Sequence, residues 1–280
     1  MYSIAHRLRP NQIKEIAMQV TTLRCFGAAP GHGNIAQVIE NGPLAVIERQ
    51  AFARDSGYSA TVFLTPGASE HAPWVADYFY PHARSPLCLH ASLAAAHVLC
   101  SRQPETSVML ETAMRGQLLM LSRGADGTFV SVRQQAVAPL GIDAGLPARL
   151  LGAPDLRLAS PALLSSVGSP KLLLEVADRA VLHALTPPLA DIMAWGRENG
   201  VNGCYVYCRT GEDEYEGRNF NHPDPAREDS ATGVAAGALA AWLGRGLVML
   251  QGAALGNPCR IVTRIVGKEI CIGGATEAMA

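Results

Sequence analysis

Two stretches of the chain are apolar on every side. Residues 88–99 read Cys-Leu-His-Ala-Ser-Leu-Ala-Ala-Ala-His-Val-Leu, and residues 232–243 read Thr-Gly-Val-Ala-Ala-Gly-Ala-Leu-Ala-Ala-Trp-Leu. Each follows a turn-rich, proline-containing stretch, opens on a small thiol or hydroxyl residue and continues in small residues. Such runs are helical by propensity, and a helix that is apolar all round is a buried one. Helices this thin can be wrapped closely by a sheet. The doubled segment therefore predicts two similar lobes, each a sheet around its own central helix. The start of a helix carries free N–H groups and partial positive charge, which suit a carboxylate.

Elsewhere the pattern alternates between strand-like and helix-like periods. Strands are expected over 19–26, 35–39, 61–64 and 74–80 in the first lobe, with a meander over 107–111, 117–122 and 128–132. A helix is expected over 43–56, with proline in its first turn. The crossing to the second lobe is placed at 125–127. Beyond it come a short helix over 147–151 and strands over 171–176, 180–184 and 201–208. An amphipathic helix over 187–199 ends at Gly200, a natural stop. A terminal hairpin spans 260–266 and 269–272. Strands and helices mix without strict alternation, so the class is α+β. The organisation expected is an extension over 1–17, a first lobe over 18–124 and a second over 125–280, the last strands returning to the first.

Composition narrows the function classes. With 280 residues, 49% of them hydrophobic, the chain can bury a sizeable core. Lys and Arg total 23 against 24 Asp and Glu, so no basic face points to nucleic acid. No apolar run is long enough to span a bilayer, and the first residues lack a signal-peptide apolar region. Seven cysteines without framework spacing suggest reduced thiols in a cytoplasm. Cys204 and Cys208 lie four apart, but no second pair stands near them to complete a metal site. The loop at 27–34 is rich in Gly and Pro yet too irregular for a dinucleotide fingerprint.

Several strings, taken in order, carry a family resemblance. They are Gly33-Asn34, Ser59-x-Thr61-Val62-Phe63-Leu64, Phe79-Tyr80-Pro81 and Pro86-Leu87-Cys88-Leu89-His90-Ala91-Ser92. They continue with Arg218-x-Phe220, Glu228-Asp229-Ser230-Ala231-Thr232-Gly233, Gln251-Gly252 with Gly256-x-Pro258, and Gly273-Gly274-Ala275. Over about residues 18 to 276 the chain resembles the phenazine-biosynthesis isomerase-like (PhzF-like) family of the diaminopimelate epimerase-like fold. The resemblance implies two pseudo-symmetric lobes with a cleft between their central helices. It also implies proton transfer at carbon without metal or organic cofactor, and a homodimer.

The residues themselves point the same way. Cys88 stands at a helix start, which lowers a thiol's pKa, and a thiolate beside a carbon acid is a plausible general base. His90 can shuttle a proton near neutral pH. Glu214 stands where the resemblance expects an aspartate, four residues before Arg218, and completes the candidate proton-handling set. Candidate substrate contacts are Asn34, Ser59, Leu89, Thr232, Gly233 and Val234. Leu89 adds bulk where the family has glycine. Thr232 takes the place of the second cysteine of racemase relatives; a hydroxyl is a poor base, so one-base chemistry is favoured. Glu228 and Asp229 are expected to serve the helix dipole, and His97 to pack. Asp77 and Arg84 reverse the family's charge order and can still bridge.

One departure bears on mechanism. The family's acid/base glutamate, between Ser59 and Thr61, is Ala60 here. The expected function is a cofactor-independent isomerase or epimerase acting on a small carboxylic acid. Two alternatives stand beside it: a lyase or dehydratase using Cys88 and Thr232, and a non-catalytic binding protein that lost the acid at Ala60.

Overall fold

The computed structural model describes residues 17–69, 71–102, 107–222 and 224–279. The expected N-terminal extension lies, except for residue 17, outside the described residues. The first half of the fold runs β1 (Gln19–Cys25), β2 (Asn34–Glu40), α1 (Val46–Ser56), β3 (Ala60–Thr65), β4 (Trp74–Tyr80), β5 (Ala83–Ser85), α2 (Leu89–Cys100), β6 (Ser107–Thr112), β7 (Leu118–Gly124) and β8 (Gly127–Arg133). The second half begins with α3 (Leu146–Leu150), β9 (Leu163–Ser165), β10 (Lys171–Glu175), α4 (Arg179–Ala184) and α5 (Leu189–Asn199). It continues with β11 (Cys204–Arg209), β12 (Glu214–Phe220), α6 (Gly233–Leu243), β13 (Val248–Gln251), β14 (Cys259–Val266), β15 (Glu269–Gly274) and β16 (Thr276–Ala278).

The two halves repeat one pairing scheme. In the first, β1–β2 is antiparallel, β2–β3 parallel, β3–β4 antiparallel, β4–β6 parallel, and β6–β7–β8 antiparallel. In the second, β9–β10 is antiparallel, β10–β11 parallel, β11–β12 antiparallel, β12–β13 parallel, and β13–β14–β15 antiparallel. The two doubled segments are the crossovers of corresponding parallel pairs: α2 joins β4 to β6, and α6 joins β12 to β13. Antiparallel pairing of β8 with β15 makes one continuous sheet, and β16 returns to pair with β1. The class is α+β, with each sheet half curled around its own helix.

Small side chains make the curling possible. Ala91, Ala94, Ala95 and Ala96 of α2 are fully buried, as are Ala235, Ala236, Ala238 and Ala240 of α6. Strands β1, β2, β3, β6, β7 and β8 pack around α2, while β9, β10, β14 and β15 pack around α6. Gly237 weakens helix propensity, but a Cβ there would stand 2.3 Å from Ile272 Cδ1 and 3.0 Å from Val167 Cγ2. A second core lies on the far face of β10 and β11, where Leu172, Leu174 and Val206 meet Leu182 of α4 and Ile192 of α5.

Two expectations need correction, and one strand was not foreseen. Residues 180–184 form a helix, not a strand, because Asp178 caps it by accepting from the Val181 N–H at 2.9 Å. The turn at 125–127 is a hairpin between β7 and β8, which both pack on α2, so the crossing between lobes falls after Arg133. Strand β12 was hidden by its charges. Glu216 accepts from Arg179 (2.7 Å) and is bridged by His183 (2.8 Å), and Arg218 holds Glu228 with two bonds of 3.0 and 2.8 Å. Asp77 and Arg84 do bridge, at 2.7 Å, and Arg49 adds a second contact at 3.0 Å. Gly200 ends α5 in the left-handed conformation, with φ 66°.

Gly237→Val places two methyls against Ile272 and Val167. It should lower unfolding free energy by roughly 1–3 kcal/mol, the range for overpacked cores, as read from urea denaturation.

Candidate active site

The two central helices meet start to start. A methyl group on Gly233 would stand 3.3 Å from Leu89 Cδ1 and 3.2 Å from Phe26 Cζ. Cys88 at the start of α2 and Thr232 at the start of α6 are therefore brought to one place. Both residues are buried, with 3% and 5% of their surface exposed.

The first-lobe wall is a thiol and an imidazole. Cys88 has extended backbone (φ −138°) at the position preceding α2. Its Sγ lies 3.4 Å from His90 Nδ1. Burial alone raises a thiol's pKa. At Cys88 the charge of His90, the hydrogen bond to it, the Ala91 N–H and the Tyr80 hydroxyl together outweigh burial and hold the thiol below its ordinary value. Burial likewise pushes His90 down, but the Cys88 thiolate, the hydrogen bond to it and the charge of Asp229 raise it overall. Both shifts favour the charged forms of the pair over the neutral ones. The Cys88 charge and burial keep the Tyr80 hydroxyl protonated, as a donor beside the thiolate. Cys88 differs here from Cys204 and Cys259, which burial pushes up to about 12.

The second-lobe wall is organised by Asp229. Its Oδ1 accepts from Asn34 Nδ2 at 2.6 Å and from the Ala231 N–H at 3.3 Å, and its Oδ2 accepts from the Thr232 hydroxyl at 2.8 Å. Gln251 braces the group. Its Nε2 donates to the Asp229 carbonyl (2.6 Å) and to Thr232 Oγ1 (3.1 Å). Its Oε1 accepts from the Thr232 N–H (3.1 Å) and the Tyr205 hydroxyl (2.9 Å). Asn34 belongs to β2, so one hydrogen bond to Asp229 comes from the opposite lobe.

Of the residues singled out from sequence, Cys88, His90, Asn34, Thr232 and Gly233 converge here. Leu89 is present but 4% exposed, packed toward Gly233 as a plug between the helix starts. Val234 is half-buried, beside Gly168. Ser59 is exposed, its hydroxyl donating to the Ile35 carbonyl at 2.6 Å. Glu214 does not join the site. It pairs with Val248, three residues up the strands from the Gly217–Gln251 pair, about 10 Å away at strand rise. Its carboxylate accepts instead from the Thr210 hydroxyl at 3.0 Å. His97 bonds Thr276 Oγ1 at 2.8 Å and ties β16 to α2.

Sequence reasoning missed Tyr80 and Gln251 as members of the site, although both stand in quoted motifs. It gave Asp229 a dipole role alone, whereas three donors converge on its carboxylate. Cys204 and Cys208 pack in the second-lobe core, and the described residues contain no cluster of metal-ligating side chains.

Two matched sheet-and-helix lobes whose central helices meet start to start define a two-lobed α+β protein. The chain belongs to the phenazine biosynthesis-like (PhzC–PhzF) family, whose model matches residues 23–271. An uncharacterized isomerase of Escherichia coli is 27% identical over 240 residues, covering 80% of this chain and 78% of that protein. A PhzF-family protein of Bacillus anthracis superposes with a TM-score of 0.78 at 21% identity, over 95% and 98% of the two chains. A predicted epimerase of Pseudomonas aeruginosa superposes with a TM-score of 0.76 at 25% identity, over 94% and 98%. No helix among the described residues is long and apolar enough to cross a membrane.

An ion pair between Cys88 and His90 has a spectroscopic signature. Thiolate absorbance near 240 nm, taken as wild type minus Cys88→Ser, should appear below the ordinary thiol pKa of about 8.5. In His90→Gln the same transition should move to higher pH, because the favourable charge is gone. A wild-type transition at the ordinary value would refute the pair.

Proposed function

We propose that this protein is a cofactor-independent isomerase or epimerase that moves a proton at a carbon of a small carboxylic acid. The observation that carries the reading is the Cys88–His90 pair at 3.4 Å, facing the start of α6. A substrate carboxylate fits the first-turn N–H groups of Gly233 and Val234, which have no partner within their own helix. The Cys88 thiolate then takes the proton from carbon and becomes the thiol. The carbanion's charge spreads onto the carboxylate, where the same N–H groups stabilise it as it develops. His90, whose charged form Asp229 favours, delivers a proton to a different carbon of the delocalised anion, which makes the net change a one-face isomerisation, and the thiol proton then passes to His90 and restores the pair.

The arrangement favours one base over two. The Thr232 hydroxyl donates to Asp229 and accepts from Gln251. It positions the carboxylate and is not free to act as an opposing acid. The lyase reading, which needs Thr232 to expel hydroxide, draws no support from that geometry.

Incubation of small amino and hydroxy acids in heavy water should show deuterium entering the carbon next to the carboxylate. Exchange should fall by roughly two orders of magnitude or more in Cys88→Ala, the scale of a lost general base. Full exchange in Cys88→Ala would overturn the thiolate mechanism. Tight binding without exchange would favour the binding-protein alternative, and Ala60→Glu would then test whether the family's acid restores chemistry.

A further inference from the structure

The start of α6 is crowded by one side chain from the other lobe. Leu89 is the first residue of α2, and only 4% of it is exposed. A Cβ on Gly233 would stand 3.3 Å from Leu89 Cδ1, 3.4 Å from Leu89 Cβ and 3.2 Å from Phe26 Cζ. The leucine thus lies against the first turn of α6, whose Gly233 and Val234 N–H groups have no partner within their own helix. A neighbouring contact has the same character. A Cβ on Gly168 would stand 3.0 Å from Leu87 Cδ2 and 3.3 Å from Val234 Cγ1, so Leu87, the residue before Cys88, meets Val234 there. Both are half-buried.

The polar side chains of the second wall are already engaged with one another. Thr232 Oγ1 donates to Asp229 and accepts from Gln251. Gln251 uses both ends of its amide on Thr232, Asp229 and Tyr205. The Asp229 carboxylate only accepts, and Asn34, Ala231 and Thr232 donate to it. What this joint presents beyond the α6 N–H groups is apolar: Phe26, Leu87, Leu89 and Val234. Close-packed surroundings accept extra volume only with strain, so the reach of the Leu89 side chain sets how much of a ligand fits beside the helix start.

We propose that Leu89 is a specificity-determining residue, which limits the site to carboxylic acids with a short aliphatic chain and turns bulkier acids away. The inference rests on the reading above, in which the carboxylate lies at the start of α6 beside Cys88, and it narrows the substrate class of that same site.

Alkylation of Cys88 tests the limit without any catalysis. The probes are 2-bromopropanoate and 2-bromo-3-phenylpropanoate, which differ by a phenyl ring. In each case the Cys88 thiolate attacks the carbon next to the carboxylate, a C–S bond forms and bromide leaves. Rates at Cys88 are followed by mass spectrometry of its peptide and divided by the rates of the same reagents with N-acetylcysteine. In the wild type the short acid should be favoured by on the order of tenfold or more, since even one methylene in an apolar pocket discriminates by about that much. Leu89→Ala should lose most of the preference, through a gain by the bulky acid. Leu89→Met, which keeps the volume, should retain it. Leu89→Val, one carbon shorter than leucine, takes the place of Leu89→Ala if circular dichroism shows that the alanine variant does not fold. No preference in the wild type, a preference undiminished in the folded short variant, or a Cys88 that 2-bromopropanoate does not reach overturns the size limit.

Heavy-water exchange separates this inference from the reading on which it rests. L-lactate against L-3-phenyllactate, and L-alanine against L-phenylalanine, should show the same preference and the same loss in Leu89→Ala. Size selection in alkylation with exchange of none of the four acids would count against the isomerase reading and uphold the limit. Exchange of the phenyl acids as fast as the short ones in the wild type would overturn the limit and uphold the isomerase reading.

Discussion

The contact on which the rest of the structure depends is the meeting of two helix starts. Leu89 and Gly233 approach so closely that position 233 has no room for a side chain without moving Leu89 or Phe26. Phe26 completes the joint and is strained in doing so. Its φ of 67° lies in the left-handed region, which costs a bulky residue of order 1–3 kcal/mol. Two long-range backbone bonds hold it there: its N–H donates to the Ala275 carbonyl and its carbonyl accepts from the Arg260 N–H, both at 2.8 Å. Ala275 lies between β15 and β16, and Arg260 in β14. The strain is thus stored where the second lobe's strands close back on the first, beside the start of α6.

That geometry couples charge to closure. One wall carries the Cys88–His90 pair, the other a carboxylate held by Thr232, Ala231 and Asn34. Asn34 comes from β2 of the first lobe, and it also donates to the Ala231 carbonyl at 3.1 Å. Separating the lobes would strip Asp229 of one of its donors and remove its field from His90. The proton-handling state of the first wall therefore depends on the second wall being in place, although each wall is built by its own sheet half.

The central helices were legible because burial on all sides leaves a plain mark, a run of small apolar residues with no polar face. The strands flanking them were legible for the same reason. What escaped was polar structure satisfied at long range. Strand β12 carries Glu216 and Arg218, which look like loop residues until Arg179, His183 and Glu228 arrive from elsewhere in the chain. Glu214 was misplaced by spacing: four residues from Arg218 in sequence puts it at the far end of the same strand. Asp229 and Gln251 also draw on partners 195 and 46 positions away, Asn34 and Tyr205, which no local reading of the chain reveals. Cys88 and His90 were recognisable because their partnership is local, two residues apart at a helix start.

On the proposed reading, the alanine at position 60, where the resemblance expects an acid, bears on the state of the thiol as well. Ala60 is buried in the first-lobe core that also contains Cys88, paired in register with Ala36. A carboxylate at a cleft already holding Asp229 would add negative charge near the thiol, and like charges raise a thiol's pKa. It would also draw on His90, the cation on which the thiolate depends. On the proposed reading, an ionised glutamate at 60 and an ionised Cys88 would be competing arrangements of one site. On the proposed reading, the small residue at 60 is what leaves His90 to Cys88 alone, so the change from glutamate to alanine and the thiolate at the start of α2 are two parts of one change of base.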